Sequence, residues 1–248
     1  MSGHSKWATI KHKKGALDAK RGAVFTKVIK EITVAARNGG GNPESNPRLR
    51  TALSKAKECN MPADNIDRAI KKGTGELPGI SYEEVYYEGY GPAGVAILIE
   101  ALTDNKNRTT SEVRNILEKK GGSMSGAGSV AWQFQKRGLI VVKKDAAEED
   151  KLMGIVLDAG ASDFTSEKDS YEIISEQQDF EKVKKALTDA KITPESADVT
   201  QIPSTSVKLG LNEAKSALAL IEALEDHDDV QNVYSNIDVS DEVLQQLG

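Results

Sequence analysis

Apolar residues recur at helical spacing through the first part of the chain and then switch to the tighter alternation of strands. Phe25, Val28, Ile29, Ile32 and Ala36 line one side of a helix, while Lys20, Lys27, Lys30 and Arg37 fall on the opposite side. The run Asn38-Gly39-Gly40-Gly41-Asn42-Pro43 stops it. Asn46-Pro47 opens a second helix as N-cap and first-turn proline. There Leu49, Ala52, Leu53 and Ala56 face inward, with Arg48 and Lys55 on one flank and Arg50 and Lys57 on the other. A third helix starts at Pro62 and runs through Ile66, Ala69 and Ile70. It ends on Lys71-Lys72-Gly73, where cations offset the helix dipole.

Beyond Gly75 the period changes. Tyr82 to Glu88 and Gly94 to Leu102 read as two strands around a tight turn at Gly89-Tyr90-Gly91-Pro92, followed by a helix from Arg108 to Lys120 and a third strand from Ser129 to Gln135. A self-contained α+β unit comes next: Leu139-Ile140-Val141-Val142, a helix from Glu149 to Asp158, a strand at Tyr171 to Ile174, a helix from Asp179 to Ala190 and a strand at Asp198 to Ile202. The closing helix, Leu211 to Leu224, and strand, Val230 to Tyr234, are too small to fold alone and are expected to complete the sheet begun at Tyr82. The expected class is α+β: a helical N-terminal domain followed by two α+β (ferredoxin-like) sheet domains, one inserted in the other. The boundaries read as residues 1–75, residues 76–138 plus 207–248, and an inserted domain at 139–206, with Pro203 marking the return.

Charge divides the chain at the same place. Residues 1–75 carry 16 Lys and Arg against 6 Asp and Glu, a net of +10, whereas residues 76–248 carry 17 against 32, a net of −15. A compact basic segment on an acidic body is an electrostatic footprint for a polyanion, because neutralised phosphates release condensed counterions. The charge is densest in the run holding His4, Lys6, Trp7, Lys11, His12, Lys13, Lys14, Lys20 and Arg21. An indole among cations can stack on a base while lysines hold phosphates; the same ring can instead pack the segment onto the helices beside Ile10. With Lys27, Arg48 and Arg50 from the first two helices, these residues form the expected nucleic-acid-binding set.

The remaining chemistry is sparse. Cys59 is the single cysteine, so no internal disulfide is possible, and no stretch resembles a signal peptide; a reducing cytoplasm is the expected compartment. Val95 to Ile99, as long as any apolar run in the chain, is far too short to cross a bilayer. Gly89-x-Gly91-x-x-Gly94 matches the dinucleotide fingerprint by spacing, but a strand follows it where that motif needs a helix. The glycines at 121–122 and 126–128 lie between a helix and a strand, as cap and loop residues do. Glu225, Asp226, Asp228 and Asp229 around His227 have ligand types suited to Mg²⁺, yet such a cluster at a helix end reads first as a solvated turn. The three histidines form no zinc spacing and no triad, so neither a metal, a cofactor nor a small-molecule substrate is expected, and no catalysis.

Particular residues also resemble a known family. His4-Ser5-Lys6-Trp7, Ile10-Lys11-His12, Asp18-Ala19-Lys20-Arg21-Gly22 and Phe25-Thr26-Lys27 are similar to the YebC/PmpR proteins of bacteria, whose mitochondrial relative is a translational activator of cytochrome c oxidase. The likeness continues through Asn46-Pro47-Arg48-Leu49-Arg50, Asn60-Met61-Pro62, Arg68-Ala69-Ile70 and Tyr87-Glu88-Gly89-Tyr90-Gly91-Pro92. It extends to Asn107-Arg108-Thr109, Gly128-Ser129-Val130-Ala131-Trp132, Ile202-Pro203-Ser204 and Asp228-Asp229-Val230. Leu17 and Thr9 stand where the family commonly has glutamine and asparagine. The resemblance implies three domains and a regulator that binds DNA in transcription, or alternatively a ribosome-associated factor on ribosomal RNA that relieves stalled translation. A metal-dependent nuclease is a more distant alternative. The loops at 38–46 and 59–62 are not expected to form a helix-turn-helix with its short turn.

Overall fold

Residues 20–247 are described by the computed structural model. The chain forms two compact units: one takes the chain up to Ala131 and resumes at Thr205, and the other is Trp132–Ser204.

The first unit opens with α1 (Lys20–Gly39), α2 (Pro47–Glu58) and α3 (Ala63–Thr74). Their small core is built from the periodic apolar positions: Val28, Ile32 and Ala35 of α1, Leu49, Ala52 and Ala56 of α2, and Ala69 of α3, with Met61 from the connection. Asn46 starts α2 as the cap pattern predicts. Its Oδ1 accepts from the Leu49 amide at 3.1 Å, while its buried Nδ2 donates to the carbonyls of Ala35 and Gly40, tying the start of α2 to the end of α1. A cap of this kind stabilises by about 1 kcal/mol. Between α2 and α3 the joint has four residues, Cys59–Pro62, with Asn60 left-handed at φ 56° and the Met61 amide donating back to Ala56. The joint has the bounds that the sequence pattern gives it. Both α2 and α3 pack against α1. At Gly73 a side chain would meet the Thr33 carbonyl at 2.5 Å, so the approach of α3 to α1 requires glycine there.

A four-stranded antiparallel sheet follows, in the order β3-β1-β2-β9, from β1 (Glu83–Tyr90), β2 (Ala96–Thr103), β3 (Ser123–Ser125) and β9 (Val230–Ser235). β9 therefore completes the sheet begun near Tyr82, as expected. Helices α4 (Lys106–Lys119) and α7 (Leu211–Glu225) cover one face, packing Val113, Leu117, Leu220 and Ile221 against Val85, Tyr87, Ile97 and Ile99. β2 is buried on both faces, which is why its sequence is almost continuously apolar. A parallel pair, β8 (Val207–Lys208) with β10 (Ile237–Asp238), and α8 (Asp241–Leu247) finish the unit.

The second unit runs β4 (Phe134–Lys143), α5 (Glu149–Asp158), β5 (Ala161–Ser166), β6 (Ser170–Glu176), α6 (Phe180–Asp189) and β7 (Ser196–Pro203). Its strand order, β5-β6-β4-β7, and its βαββαβ sequence are those of a ferredoxin-like fold. Leu152, Val156, Val183 and Leu187 of the helices bury against Ile140, Val142 and Ile173 of the sheet.

Two elements differ from the sequence pattern. Ser129 to Gln135 is not the third strand of the first sheet: that place is taken by Ser123–Ser125, and the chain from 126 to 131 is a loop folded around a carboxylate. β5 carries no apolar alternation because it is an edge strand, and it escaped the pattern for that reason.

Candidate nucleic-acid interface

The basic side of α1 is turned inward. Lys27 Nζ donates to the Glu225 carbonyl at 2.5 Å, in the last turn of α7. One turn further along α1, Lys30 Nζ donates to Asp229 Oδ1 at 2.5 Å and to the Asp228 carbonyl at 3.0 Å, and stands 5.6 Å from the centre of the Tyr82 ring. Arg37 then bonds Ser81 Oγ and the Tyr82 carbonyl. The lysines reach carbonyls at and just beyond a helix C-terminus, where the helix dipole favours cations.

Asp229 is the centre of this contact. Its side chain is 4% exposed and accepts from Lys30, from Thr109 Oγ1 at 2.6 Å and from Arg108 Nη2 at 2.7 Å. Burial alone would raise its pKa, but the bonds from Lys30, Thr109 and Arg108 outweigh that and hold the carboxyl well below the usual carboxylate range. Asp229 is thus a buried hub, which corrects the reading of the whole 225–229 cluster as a solvated helix end. His227 is fixed beside it. Its Nδ1 accepts from the Asp229 amide at 3.1 Å, so the proton sits on Nε2, 2.9 Å from Glu112 Oε2. An open cleft of about 570 Å³ lies over these groups, lined by Thr26, Lys30, Tyr82, Arg108, Glu112 and residues 226–229. Glu112, His227 and Asp229 bring ligand atoms within 4.8 Å of one another, a spacing suited to a metal ion. The positive charge such an ion would bring is already supplied to Asp229 by Lys30 and Arg108.

The two flanks of α2 separate as the helical spacing requires. Arg48 lies on the flank that meets carboxylates: its Nε and Nη2 grip Glu31 in a bidentate pair at 2.7 and 3.1 Å, and Nη1 bonds Glu84 at 2.8 Å. Arg50 and Lys57, on the other flank, are exposed and make no ion pair among the described residues; the same holds for Arg68 and Lys72 on α3. Of the predicted set, Lys27 and Arg48 therefore take part in internal contacts and Arg50 points outward. His4, Lys6, Trp7, Lys11, His12, Lys13 and Lys14 lie outside the described residues, as do the side chains of Lys20 and Arg21. Arg108, Thr109 and Asp229 went unassigned in the sequence because they are far apart along it. Their signal was the two short motifs Asn107-Arg108-Thr109 and Asp228-Asp229-Val230, which the fold brings together.

Known proteins match this architecture along its length. Residues 5–76 match the TACO1/YebC protein N-terminal domain, and residues 82–237 match the TACO1/YebC second and third domain. The chain belongs to the TACO1/YebC family. It is 60% identical over 239 residues to a "Probable transcriptional regulatory protein" of Acidobacterium capsulatum, covering 96% of this chain and 97% of that one. It is 58% identical to a protein of the same description from Geobacter sulfurreducens, over the whole of both chains. The crystal structure of a conserved hypothetical protein from Aquifex aeolicus has the same fold, with a TM-score of 0.84 at 45% identity, covering 97% of this chain and 99% of that one. No helix among the described residues is long and apolar enough to cross a membrane.

Proposed function

We propose that this chain is a non-enzymatic, cytoplasmic regulator that binds nucleic acid through residues 1–75, with DNA as the target, and that residues 76–138 plus 207–248 and the inserted residues 139–206 are two further domains. The observation that carries this reading is the charge left after internal pairing. Lys27, Lys30, Arg37 and Arg48 have partners inside the first unit, yet Arg50, Lys57, Arg68 and Lys72 point outward, and residues 1–21 add six more cations against Asp18. Such cations see phosphate first and base identity second. The description of the relatives as transcriptional regulators supports a regulatory role.

The alternative is a ribosome-associated factor on ribosomal RNA. It is favoured by the outward residues being cations, which RNA phosphates satisfy as well as DNA phosphates. Crosslinking in cells followed by sequencing of both DNA and RNA separates the two: enrichment of defined promoter segments supports the first reading, and enrichment of ribosomal RNA with cosedimentation on ribosomes supports the second.

A further inference from the structure

We propose that the C-terminal end of α4 and the loop that follows it, residues 119–128, form a second contact for the phosphate backbone of nucleic acid, on the acidic body and separate from the helical segment. This rests on the nucleic-acid reading above.

Residues 113–131 run against the charge of their surroundings. They hold Arg114, Lys119 and Lys120 against Glu118 alone, in a body where acidic residues outnumber basic ones 32 to 17. Lys119 and Lys120 are exposed and make no ion pair among the described residues. The exposed Arg114 lies against the same strand-loop segment, with Nη2 3.9 Å from the Met124 sulfur. Two lysines at a helix end also offset its dipole, so the cations by themselves do not define a contact. The loop supplies the second observation.

This loop is built to hold its shape. Glu88 is buried beneath it, and its carboxylate accepts from the amides of Gly128 and Val130 at 2.7 Å and of Ala131 at 2.8 Å. The carboxylate is therefore masked from an approaching anion. Most of the glycines here are demanded by the fold: Gly121 and Gly128 have φ of +79° and +85°, and a side chain at Gly122 would meet the Tyr90 carbonyl at 2.7 Å. Gly126 is different. Its φ lies outside the left-handed region, and a Cβ there would meet nothing within 4 Å. Neither backbone nor packing asks for glycine, although glycine costs stability through the entropy of the unfolded chain. What it provides is bare, exposed backbone two residues past Met124, against which Arg114 lies, and in the same segment as Lys119 and Lys120; bare backbone lets a polyanion approach closely.

The test uses the full chain and short fluorescein-labelled DNA and RNA, single- and double-stranded, with thermal melting of every variant. Lys119→Glu/Lys120→Glu is expected to weaken binding at least tenfold and to reduce the slope of log K against log salt by about two, one for each lost phosphate contact. Gly126→Ala, whose Cβ meets nothing within 4 Å, is expected to weaken binding several-fold with the melting temperature unchanged. The same charge change on α6, Lys184→Glu/Lys185→Glu, controls for net charge and is expected to leave affinity within about twofold of the parent. Parental affinity in both loop variants, with Arg50→Glu/Lys57→Glu still weakened, overturns the second contact and leaves the helical reading standing. Absence of nucleic-acid binding by the parent chain overturns both.

Discussion

Lys30 and Asp229 meet at 2.5 Å with their side chains 9% and 4% exposed, so the basic helix α1 is joined to the acidic body by a buried ion pair. The charge division seen along the sequence is therefore partly an internal complementarity. Arg108 and Thr109 complete the shell around Asp229, and Lys27, Arg37 and Arg48 extend the contact on either side of it.

Removing one partner of such a pair leaves the other buried without compensation, which typically costs about 3–5 kcal/mol. Asp229→Ala should lower the melting temperature by roughly 6–20 °C, taking about 2–4 °C per kcal/mol for a chain of this size. Calorimetry checks it. A loss below about 1 kcal/mol would contradict the hub.

The same carboxylate sets an acid dependence. Because the pKa of Asp229 is depressed in the folded state, its contribution is fully present above the unfolded value of about 3.9 and is lost as pH falls toward the folded value. Burial opposes ionisation of Glu88, but the amides of Val130, Gly128, Ala131 and Ser129 outweigh it and lower that carboxyl too, with the same sign. Urea midpoints should therefore decline from about pH 5 downward, and less steeply in Asp229→Asn than in the parent. Parallel curves would rule Asp229 out as a source.

Glu88 also organises the loop at 126–131. Glu88→Ala leaves the buried Val130 amide and the part-buried bonds of Gly128 and Ala131 without their acceptor, at about 1–3 kcal/mol for a group that stays out of water before the loop relaxes. Hydrogen exchange at Gly128, Val130 and Ala131 should quicken strongly while the amides of β2 stay protected. Equal protection of the loop in both proteins would show that another group holds it.

Helical periodicity made the N-terminal core legible: Val28, Ile32, Leu49, Ala52 and Ala69 are buried where a repeat of 3.6 residues places them, and Asn46 caps α2 as its side chain and the following proline announce. That the closing helix and strand complete the sheet begun at Tyr82 was legible too, since that stretch is too small to fold alone; which strand β9 pairs with, β2, was not. Periodicity is blind to the direction in which a polar face points. The stripe Lys27, Lys30 and Arg37 looked like a solvent face because its carbonyl and carboxylate partners lie about 45 to 200 residues away along the chain. Residues 129–131 read as the start of a strand but belong to the loop at 126–131, because a single carboxylate, not an alternation of side chains, organises it.

Arg48 and Arg50 distinguish structure from binding on one helix. Arg48→Ala should cost about 1 kcal/mol, the scale of partly exposed pairs, since its side chain is 35% exposed. Arg50→Glu/Lys57→Glu should leave the melting temperature unchanged and weaken nucleic-acid binding. The reverse assignment, with Arg50 and Lys57 affecting stability alone, would remove α2 from the interface.

The most direct test of the account is the salt dependence of nucleic-acid affinity for the full chain. If about five phosphates are neutralised, log K falls against log salt with a slope of roughly −3.5 to −4.5, and Arg50→Glu/Lys57→Glu brings that slope about two units closer to zero. An affinity independent of salt, or a slope untouched by reversing both charges, would contradict the claim that this helical segment binds a polyanion.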